Sequence, residues 1–493
     1  MASVLPPITL GTRLSYGGGA IANGVKSAAF TTYLMLYYNQ VIGISAAIVS
    51  LSVAATLIID AFADPFIGRW SDTTRSRWGR RHPFIYGSAV PTAICFTATW
   101  FPPAGMTDVQ TGFWIFVMAT LTRMSLSAFE IPTSAMASEL TSDYAERTRL
   151  FSLRYLFGYA GAFGFTAFAL TFFLVATPEY PKGQLNPAGY QPFAITGGFL
   201  CFAAIMLCGL GTHNRIPLLR QATSGERSLG VGDHFREMFQ SFNHRGFLAI
   251  FGFGVCKYTA IGLYSAMTLY FATYLFKLTS GQTAILTIDS LVAALIAAPL
   301  APYFSRRIGK RASSMFFAIL GIFIGLSPLV LSYLDLFYLP GDPRLVPVLF
   351  VIGAVYGSMI AMSLINTSSM LADVVEDSAV TTGRHSAGTF FAASSFMQQC
   401  SAALGIGIAG VVLTLSAFPV KADPRTVDPA AIDSLLLYYV PISLALWIVG
   451  AGILSFYPID EARHERNVAA LQAREAEALA NEAANLPLGA PAR

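Results

Sequence analysis

Long apolar runs recur along the whole of this 493-residue chain, and they constrain its fold more than any other feature. A helix needs about 20 apolar residues to cross the hydrocarbon core of a bilayer. Runs of roughly that length lie near residues 15–40, 46–69, 83–103, 112–135, 151–177, 191–211, 246–276, 282–304, 313–333, 346–370, 386–416 and 434–457. The pattern predicts an all-α membrane protein with twelve transmembrane helices.

Composition excludes several other classes of protein. Hydrophobic residues make up 54% of the chain and charged residues only 12%, against about 25% charged residues in soluble proteins. A soluble domain could not cover its surface with so few charges, and a disordered chain is excluded by the same excess of apolar residues. The basic residues form short clusters between apolar runs, without a basic stripe, so we expect a lipid bilayer and not nucleic acid as the surroundings.

No pattern of an enzyme or of a cofactor site is present. The five cysteines lie inside apolar runs, and the six histidines show no metal-ligand spacing. Neither a phosphate-binding Gly-x-x-x-x-Gly-Lys loop nor a nucleophile elbow occurs. The string Gly405-Ile-Gly407-Ile-Ala-Gly410 matches a dinucleotide fingerprint by letters alone, and we interpret it as a site of close helix packing. We expect no enzymatic activity and no cofactor.

Basic residues in the loops predict the orientation. Clusters of arginine follow the even-numbered predicted helices, and the odd-numbered loops carry few. They comprise Arg75, Arg77, Arg80 and Arg81, then Arg147 and Arg149, then the segment 215–245, then Arg306 to Arg311, and Arg384. Because retained positive charge marks the cytoplasmic side, this alternation predicts a multi-pass plasma (inner) membrane protein with both termini in the cytoplasm.

Two loops six predicted helices apart resemble each other. Arg77-Trp-Gly79-Arg80-Arg81 follows the second helix, and Arg307-Ile-Gly309-Lys310-Arg311 follows the eighth. Short basic loops recur on any cytoplasmic face, but the shared pattern favours duplication of a six-helix unit, as in a major facilitator fold. The predicted divisions are a six-helix bundle over 1–211, a cytoplasmic linker over 212–245, a second pseudo-symmetric bundle over 246–457 and a cytoplasmic tail over 458–493.

Two carboxylates lie in the second predicted helix. Asp60 and Asp64 are four residues apart, and Pro65 follows directly. Residues at this spacing share a helix face, and two carboxylates in a low dielectric cannot both ionise cheaply without a cation or a proton between them. The pair therefore predicts a coupling-ion site. Neutralisation by an arginine from a neighbouring helix is the structural alternative. Asp289, in the eighth helix, has a similar position before the second copy of the loop motif.

Further ionisable residues fall in helices that line the central cavity of a major facilitator fold. They are Lys26 in the first helix, Arg123 and Glu130 in the fourth, and Lys257 in the seventh. Charged groups inside a membrane are costly and mark functional sites by default. Internal pairing, such as Arg123 with Glu130 or Lys26 with Asp60, is an equally weighted alternative.

Several motifs identify a family resemblance that covers nearly the whole chain. The main ones are Asp60-Ala-Phe-Ala-Asp64-Pro65-Phe-Ile-Gly68, Arg75-Ser-Arg77-Trp-Gly79-Arg80-Arg81-His-Pro83 and Glu139-Leu-Thr141-Ser-Asp143-Tyr-Ala-Glu146-Arg147-Thr148. With these motifs the chain resembles the glycoside-pentoside-hexuronide:cation symporters of the major facilitator superfamily. The resemblance implies that Asp60 and Asp64 bind the coupling cation, with Ser127 matching a hydroxyl at the site.

The chain departs from the melibiose permeases of that family at both sites. Ala63 replaces an Asn that would coordinate sodium, so either H⁺ or Na⁺ remains possible as the coupling ion, and no other metal is expected. At the sugar site, the Lys-Asp pair is replaced by Asn23 and Gly24, the helix-four Asp and Trp by Glu130 and Ser134, and the helix-eleven Lys by Gln399.

The predicted function is a secondary active symporter that couples a cation gradient to uptake of a glycoside, hexuronide or similar organic solute. The gain of basic residues favours an anionic solute. Amphiphilic anions such as lysophospholipids are the alternative, a non-transporting membrane sensor is a remote one, and a monomer is expected. The predicted solute-binding residues are Asn23, Lys26, Arg123, Glu130, Lys257 and Gln399. The predicted gating residues are Arg77, Gly79, Arg80, Arg81 and Arg154.

Overall fold

A computed structural model describes residues 7–141, 144–219, 244–382, 387–467, 469–471 and 473. The described chain is helical, with no strand in any of these ranges. Most of the predicted linker, much of the predicted tail and Arg384 lie outside the described residues. The side chain of Arg147 also lies outside them, although its backbone belongs to a helix.

The helices of the first predicted half end at residue 212. They are α1 (Leu10–Gly18), α2 (Ile21–Ala28), α3 (Leu34–Leu36), α4 (Ala46–Thr73), α5 (His82–Ala98), α6 (Asp108–Leu140), α7 (Tyr144–Phe168) and α8 (Pro187–Thr212). Wider π-helical turns continue the chain over Ala29–Tyr33, Tyr37–Ile42 and Ala169–Phe173.

The helices of the second predicted half begin at residue 245. They are α9 (Arg245–Tyr270), α10 (Ser280–Leu286), α11 (Asp289–Ile308), α12 (Lys310–Tyr333), α13 (Leu345–Thr382), α14 (Ala387–Leu415) and α15 (Pro429–Leu454). A π-helical turn over Phe271–Leu275 continues α9.

Ten helical segments within the described ranges are long and apolar enough to cross a membrane. Two predicted spans are not among them. The first predicted span is divided between α1, α2 and α3 by a turn at Gly19–Ala20 and by the π-helical turns, and α5, the third, has only 17 residues.

Some helices extend well beyond their apolar cores. The fourth predicted span, near 112–135, is the middle of a helix that runs over Asp108–Leu140. A capping box fixes its start, because the Thr107 hydroxyl accepts from the Gln110 amide and the Gln110 side chain accepts in return from the Thr107 N–H. Hydropathy detects only the apolar part of such a helix, so the predicted boundaries are too short.

Helix ends repeat between the two halves. The first helical segment ends in a π-helical turn at Tyr37–Ile42, and α9, six predicted spans later, ends in one at Phe271–Leu275. The wide i→i−5 bond recurs at the ends of α7 and α14, from Leu174 N–H to Ala169 C=O at 2.8 Å and from Phe418 N–H to Leu413 C=O at 3.1 Å. The same type of helix end thus occurs in both predicted halves, and wide turns of this type are frequent at functional sites.

Helices α4 and α14 pack closely against each other across the two halves. A Cβ atom at Gly410 would lie 1.9 Å from the Ser50 Oγ and 2.9 Å from the Ala46 carbonyl oxygen. Gly405, in the same run, faces α9, where a Cβ would lie 2.2 Å from the Thr259 carbonyl oxygen. The glycine run of α14 therefore permits close helix contacts, as predicted.

Buried polar contacts join the halves at one end of the bundle. The Tyr270 hydroxyl donates to Asn39 Oδ1 at 2.8 Å, and the Tyr274 hydroxyl donates to Gln40 Oε1 at 2.8 Å. Gln184 Nε2 donates to the Thr273 hydroxyl at 2.9 Å. We call this region the closed end, defined by these six residues. All six are buried, so the halves meet tightly there.

Candidate cation and solute site

The two predicted carboxylates lie within the helix bundle on α4. Asp60 is 6% exposed, and its Oδ1 accepts a hydrogen bond of 3.2 Å from the Ser127 hydroxyl of α6. Asp64, one turn further along, faces α14, from which Gln399 Nε2 donates to its Oδ2 at 2.9 Å. The carboxylates of one helix are thus contacted by a helix of each half.

Within the described chain, Asp64 has one carboxylate oxygen without a hydrogen-bond donor, which is available to bind a cation. Its Oδ1 is buried and accepts no hydrogen bond from any residue that the structure describes. Pro65 follows directly and lacks an N–H, so it cannot donate the usual helical bond to the Ala61 carbonyl. Carboxylate and carbonyl oxygens are the kind of ligands that hard cations prefer, and a carboxylate can also take up a proton.

Arg123 compensates the charge of Asp60 without coming within hydrogen-bond distance of it. Its Nη1 lies 3.7 Å from Asp60 Oδ2, which is an ion pair but longer than a hydrogen bond. The guanidinium is buried, lies over the Phe30 ring at 5.6 Å, and its Nε has no described hydrogen-bond partner. Neutralisation by an arginine from a neighbouring helix, the alternative to an ion site, is therefore present in part at Asp60. Asp64 has no arginine within ion-pair distance among the described residues.

Glu130 takes part in a second ion pair. Asn23 Nδ2 donates to its Oε1 at 3.0 Å, and Arg154 Nη2 lies 3.6 Å from the same oxygen. Arg154 is 8% exposed and lies 5.5 Å from the centre of the Tyr16 ring. Arg154 is one of the predicted gating residues, and its contacts place it beside the predicted solute-binding residues Asn23 and Glu130.

The internal pairs differ from those considered from sequence. Arg123 and Glu130 are two helical turns apart, roughly 10 Å along the axis, and each pairs with a different neighbouring helix. Arg123 reaches Asp60 on α4, and Glu130 reaches Arg154 on α7. Lys26 and Asp60 do not form an ion pair within the described chain.

Lys26 lies close enough to both ion pairs to interact electrostatically with them, without joining either. It is half-buried, and it makes no hydrogen bond and no ion pair with any residue of the described ranges. Its ammonium still interacts electrostatically with Arg123, Asp60, Glu130 and Asp64. We call the six groups the central charge cluster. Its members are Lys26, Asp60, Asp64, Arg123, Glu130 and Arg154.

Lys257 lies apart from this cluster. It is 2% exposed, and its Nζ lies 5.0 Å from the centre of the Phe253 ring and 4.7 Å from that of Tyr258. No described carboxylate comes within ion-pair distance of it. Asp289, the suggested counterpart of Asp60, is hydrogen-bonded to Ser290 at 2.9 Å at the start of α11 and makes no contact with the cluster in the described structure.

The predicted gating residues divide into two groups. Arg80 Nη2 lies 2.7 Å from Glu139 Oε1, and Arg81 Nη2 lies 3.1 Å from the same oxygen. These pairs join the start of α5 to the end of α6. Gly79 has φ +71°, a left-handed conformation that favours glycine, whereas Arg77 is exposed and only covers the Trp78 ring at 5.0 Å.

Sequence reasoning missed two features of the site. Arg154 was predicted as a gating residue, but its pairing with Glu130 was not predicted, although an arginine inside an apolar run could have marked it as a member of the cluster. The contact between Gln399 and Asp64 joins residues 335 positions apart, and no local pattern reports such a pairing.

Comparisons with known proteins indicate that the chain is a transport protein. A family model described as MFS/sugar transport protein matches residues 15–461. The isoprimeverose transporter of Lactiplantibacillus pentosus is 26% identical, with 91% of this chain and 88% of that protein covered. The glucuronide carrier protein homolog of Escherichia coli (strain K12) is 25% identical, with 94% and 96% covered.

Solved structures share the fold. The inward open conformation of the xylose transporter XylE from E. coli superimposes with a TM-score of 0.59 at 15% sequence identity, covering 93% of this chain and 98% of that one. At such identity the likeness concerns the fold alone. These relatives and neighbours are transporters and not enzymes, in agreement with the prediction.

Proposed function

Since the chain belongs to the MFS/sugar transport protein family, we propose that it couples a cation gradient to the uptake of a glycoside, a hexuronide or a similar organic solute. The names of the glucuronide and isoprimeverose relatives support this class of solute. The observation that carries the proposal is the carboxylate pair on α4, in which Asp60 is buried and Asp64 half-buried, and which is contacted from both halves through Ser127 and Gln399.

The proposed topology has twelve spans. Beyond the ten long helices, the divided segment Leu10–Ile42 and the 17-residue α5 would supply the first and third spans. Two halves of six helices, 1–211 and 246–457, would then move against each other. Both termini would lie in the cytoplasm of a cell whose plasma (inner) membrane holds the protein, which would act as a monomer.

The closed end would face away from the cytoplasm. Its residues lie in or beside the odd-numbered loops, which carry few basic residues, and the arginine-rich loops lie at the other helix ends. In this arrangement the structure corresponds to an inward-facing state. Opening towards the outside would require breaking the buried bonds of Asn39, Gln40 and Gln184.

Coupling would follow from the contact between Asp64 and Gln399. A cation or proton on Asp64 competes with the Gln399 amide, which belongs to the other half, for the same carboxylate. A ligand that changes the bond between two moving halves changes the balance between their arrangements. Binding of solute and cation would then be reciprocal, each raising the affinity for the other.

Uptake by purified protein in proteoliposomes tests the proposal. We expect accumulation of a radiolabelled uronide or glycoside under either an inward sodium gradient or an inward proton gradient, and counterflow without any gradient. The two gradients are applied separately, so the experiment also identifies the ion. Solute binding without counterflow would contradict transport and would indicate a membrane sensor.

A further inference from the structure

The central charge cluster is electrically balanced before any ligand binds. It holds three carboxylates and three basic groups, all on helices within the bundle. Two ion pairs account for four of them, at 3.7 Å between Arg123 and Asp60 and at 3.6 Å between Arg154 and Glu130. Lys26 and Asp64 remain, one group of each sign.

These two remaining groups lack a partner of opposite charge in direct contact. Asp64 accepts a hydrogen bond from the neutral amide of Gln399, and its second oxygen is buried and unsatisfied within the described structure. Lys26 makes no ion pair or hydrogen bond with any described residue. Each of them therefore offers a binding position for an ion, a cation at Asp64 and an anionic group at Lys26.

Because the interior of the bundle has low polarity, the net charge of the loaded site determines the electrostatic cost of binding a ligand. A cation bound alone would leave the cluster with one uncompensated positive charge, and an anion bound alone would leave one negative charge. Burying an unbalanced charge is costly, while a balanced pair of ligands restores neutrality. Each ligand therefore lowers the electrostatic cost of binding the other.

We infer that the solute is a monovalent anion, that Lys26 holds its anionic group, and that it crosses together with one monovalent cation in an electroneutral step. The inference rests on the proposed symport function and specifies its solute and stoichiometry. A role for Lys26 as a distant counter-charge to the carboxylates alone would instead allow neutral solutes, and the two possibilities differ in measurable ways.

Matched pairs of solutes test the charge requirement. Uptake into proteoliposomes is compared for methyl β-D-glucuronide and methyl β-D-glucoside, for the corresponding galacturonide and galactoside, and for lysophosphatidylglycerol, a monovalent phosphodiester, and monoacylglycerol. We expect transport of the anionic member of at least one pair and exclusion of its neutral partner. Equal or faster uptake of the neutral member would overturn the inference while leaving symport intact. Uptake of no member would contradict the proposed function, and the inference with it.

Membrane potential tests electroneutrality in the unmodified protein. With potassium and valinomycin setting an inside-negative potential, we expect the initial rate of anion uptake to stay unchanged, because neither the empty nor the loaded cluster carries net charge. A rate that rises several-fold with the potential would show that net positive charge moves, which would overturn the inference.

A charge-removing variant identifies Lys26. In Lys26→Gln, the preference for the anionic over the neutral solute should fall by at least about tenfold, the effect of about 1.4 kcal/mol of lost charge pairing. Lys26→Arg should retain the preference, and Lys421→Gln, at an exposed lysine between α14 and α15, should behave as wild type. An unchanged preference in folded, monodisperse Lys26→Gln would overturn the role of Lys26.

Discussion

The two halves of this protein end their helices alike but differ in the charges that they bury. The first half holds the six groups of the central charge cluster, in which oppositely charged side chains lie close together. The second half buries Lys257 beside two aromatic rings, with no described carboxylate in ion-pair contact, and contributes Gln399, which contacts Asp64 of the cluster. The helix ends thus recur in both predicted halves whereas the buried charges differ, and we expect ion coupling to depend on the first half.

The largest expected effect comes from removing one carboxylate of the first half, with a matched removal in the second half as the comparison. Asp64→Asn should abolish uphill accumulation while preserving solute exchange, because a neutral amide cannot take up a proton and brings no negative charge to balance a bound cation. Asp289→Asn, in the second half, should retain accumulation. Radiolabelled uptake and exchange in the same liposomes measure both properties.

The reverse result would contradict the assignment of the ion site to the first half. Should Asp289→Asn lose accumulation and Asp64→Asn retain it, the ion site would belong to the second half. Comparable amounts of purified, monodisperse protein for both variants serve as the control for folding.

A second effect concerns stability in the first half. Arg123→Gln leaves the buried Asp60 carboxylate without its counter-charge, and breaking one partner of a buried pair costs about 3–5 kcal/mol. The melting temperature in detergent should fall, and the double variant Asp60→Asn with Arg123→Gln should recover most of the loss. Failure of the double variant to recover would show that Arg123 stabilises the protein by other contacts.

A smaller effect is expected at the contact between the halves. Gln399→Leu removes the hydrogen bond to Asp64, and bonds to charged groups contribute about 1.5–3 kcal/mol. Solute accumulation should fall while exchange is affected less, because the contact links the ion site to the second half. Gln398→Leu, at the adjacent position of α14, is the control, and equal effects of the two substitutions would remove the specific role of Gln399.

The smallest effect is expected at the isolated lysine. Lys257→Met loses cation–π contacts of about 0.5–2 kcal/mol but also removes the cost of burying an unpaired charge. Its melting temperature should stay near that of wild type, whereas Lys310→Met, which breaks a 2.7 Å pair with Asp373, should lower it. A large destabilisation in Lys257→Met would indicate that a partner outside the described residues stabilises this lysine.

Much of the fold could be predicted from the sequence, because hydropathy reports burial in lipid directly. The family resemblance, carried by the motif around Asp60 and Asp64, is confirmed by the match over residues 15–461. The all-helical, multi-pass architecture follows from the same runs. The interruption at Gly19–Ala20 and the short α5 were not predicted, since a hydropathy window averages over turns and helix ends.

The site was only partly predictable, for geometric reasons. Spacing placed Asp60 and Asp64 on one face of α4, since four residues make about one turn. It could not say which neighbouring helix each charge meets, because that depends on how the helices rotate and pack. Arg123 thus pairs with Asp60 and not with Glu130, and Glu130 pairs with Arg154.

Solute-driven movement of the cation tests the central role of the α4 carboxylates most directly. Wild-type proteoliposomes without ion gradients receive methyl β-D-glucuronide while internal pH and internal sodium are recorded with indicators. We predict that one of the two ions enters together with the solute, and that Asp64→Asn admits solute without either ion. Entry of the same ion with solute through Asp64→Asn, or entry of solute alone through the wild type, would contradict the account.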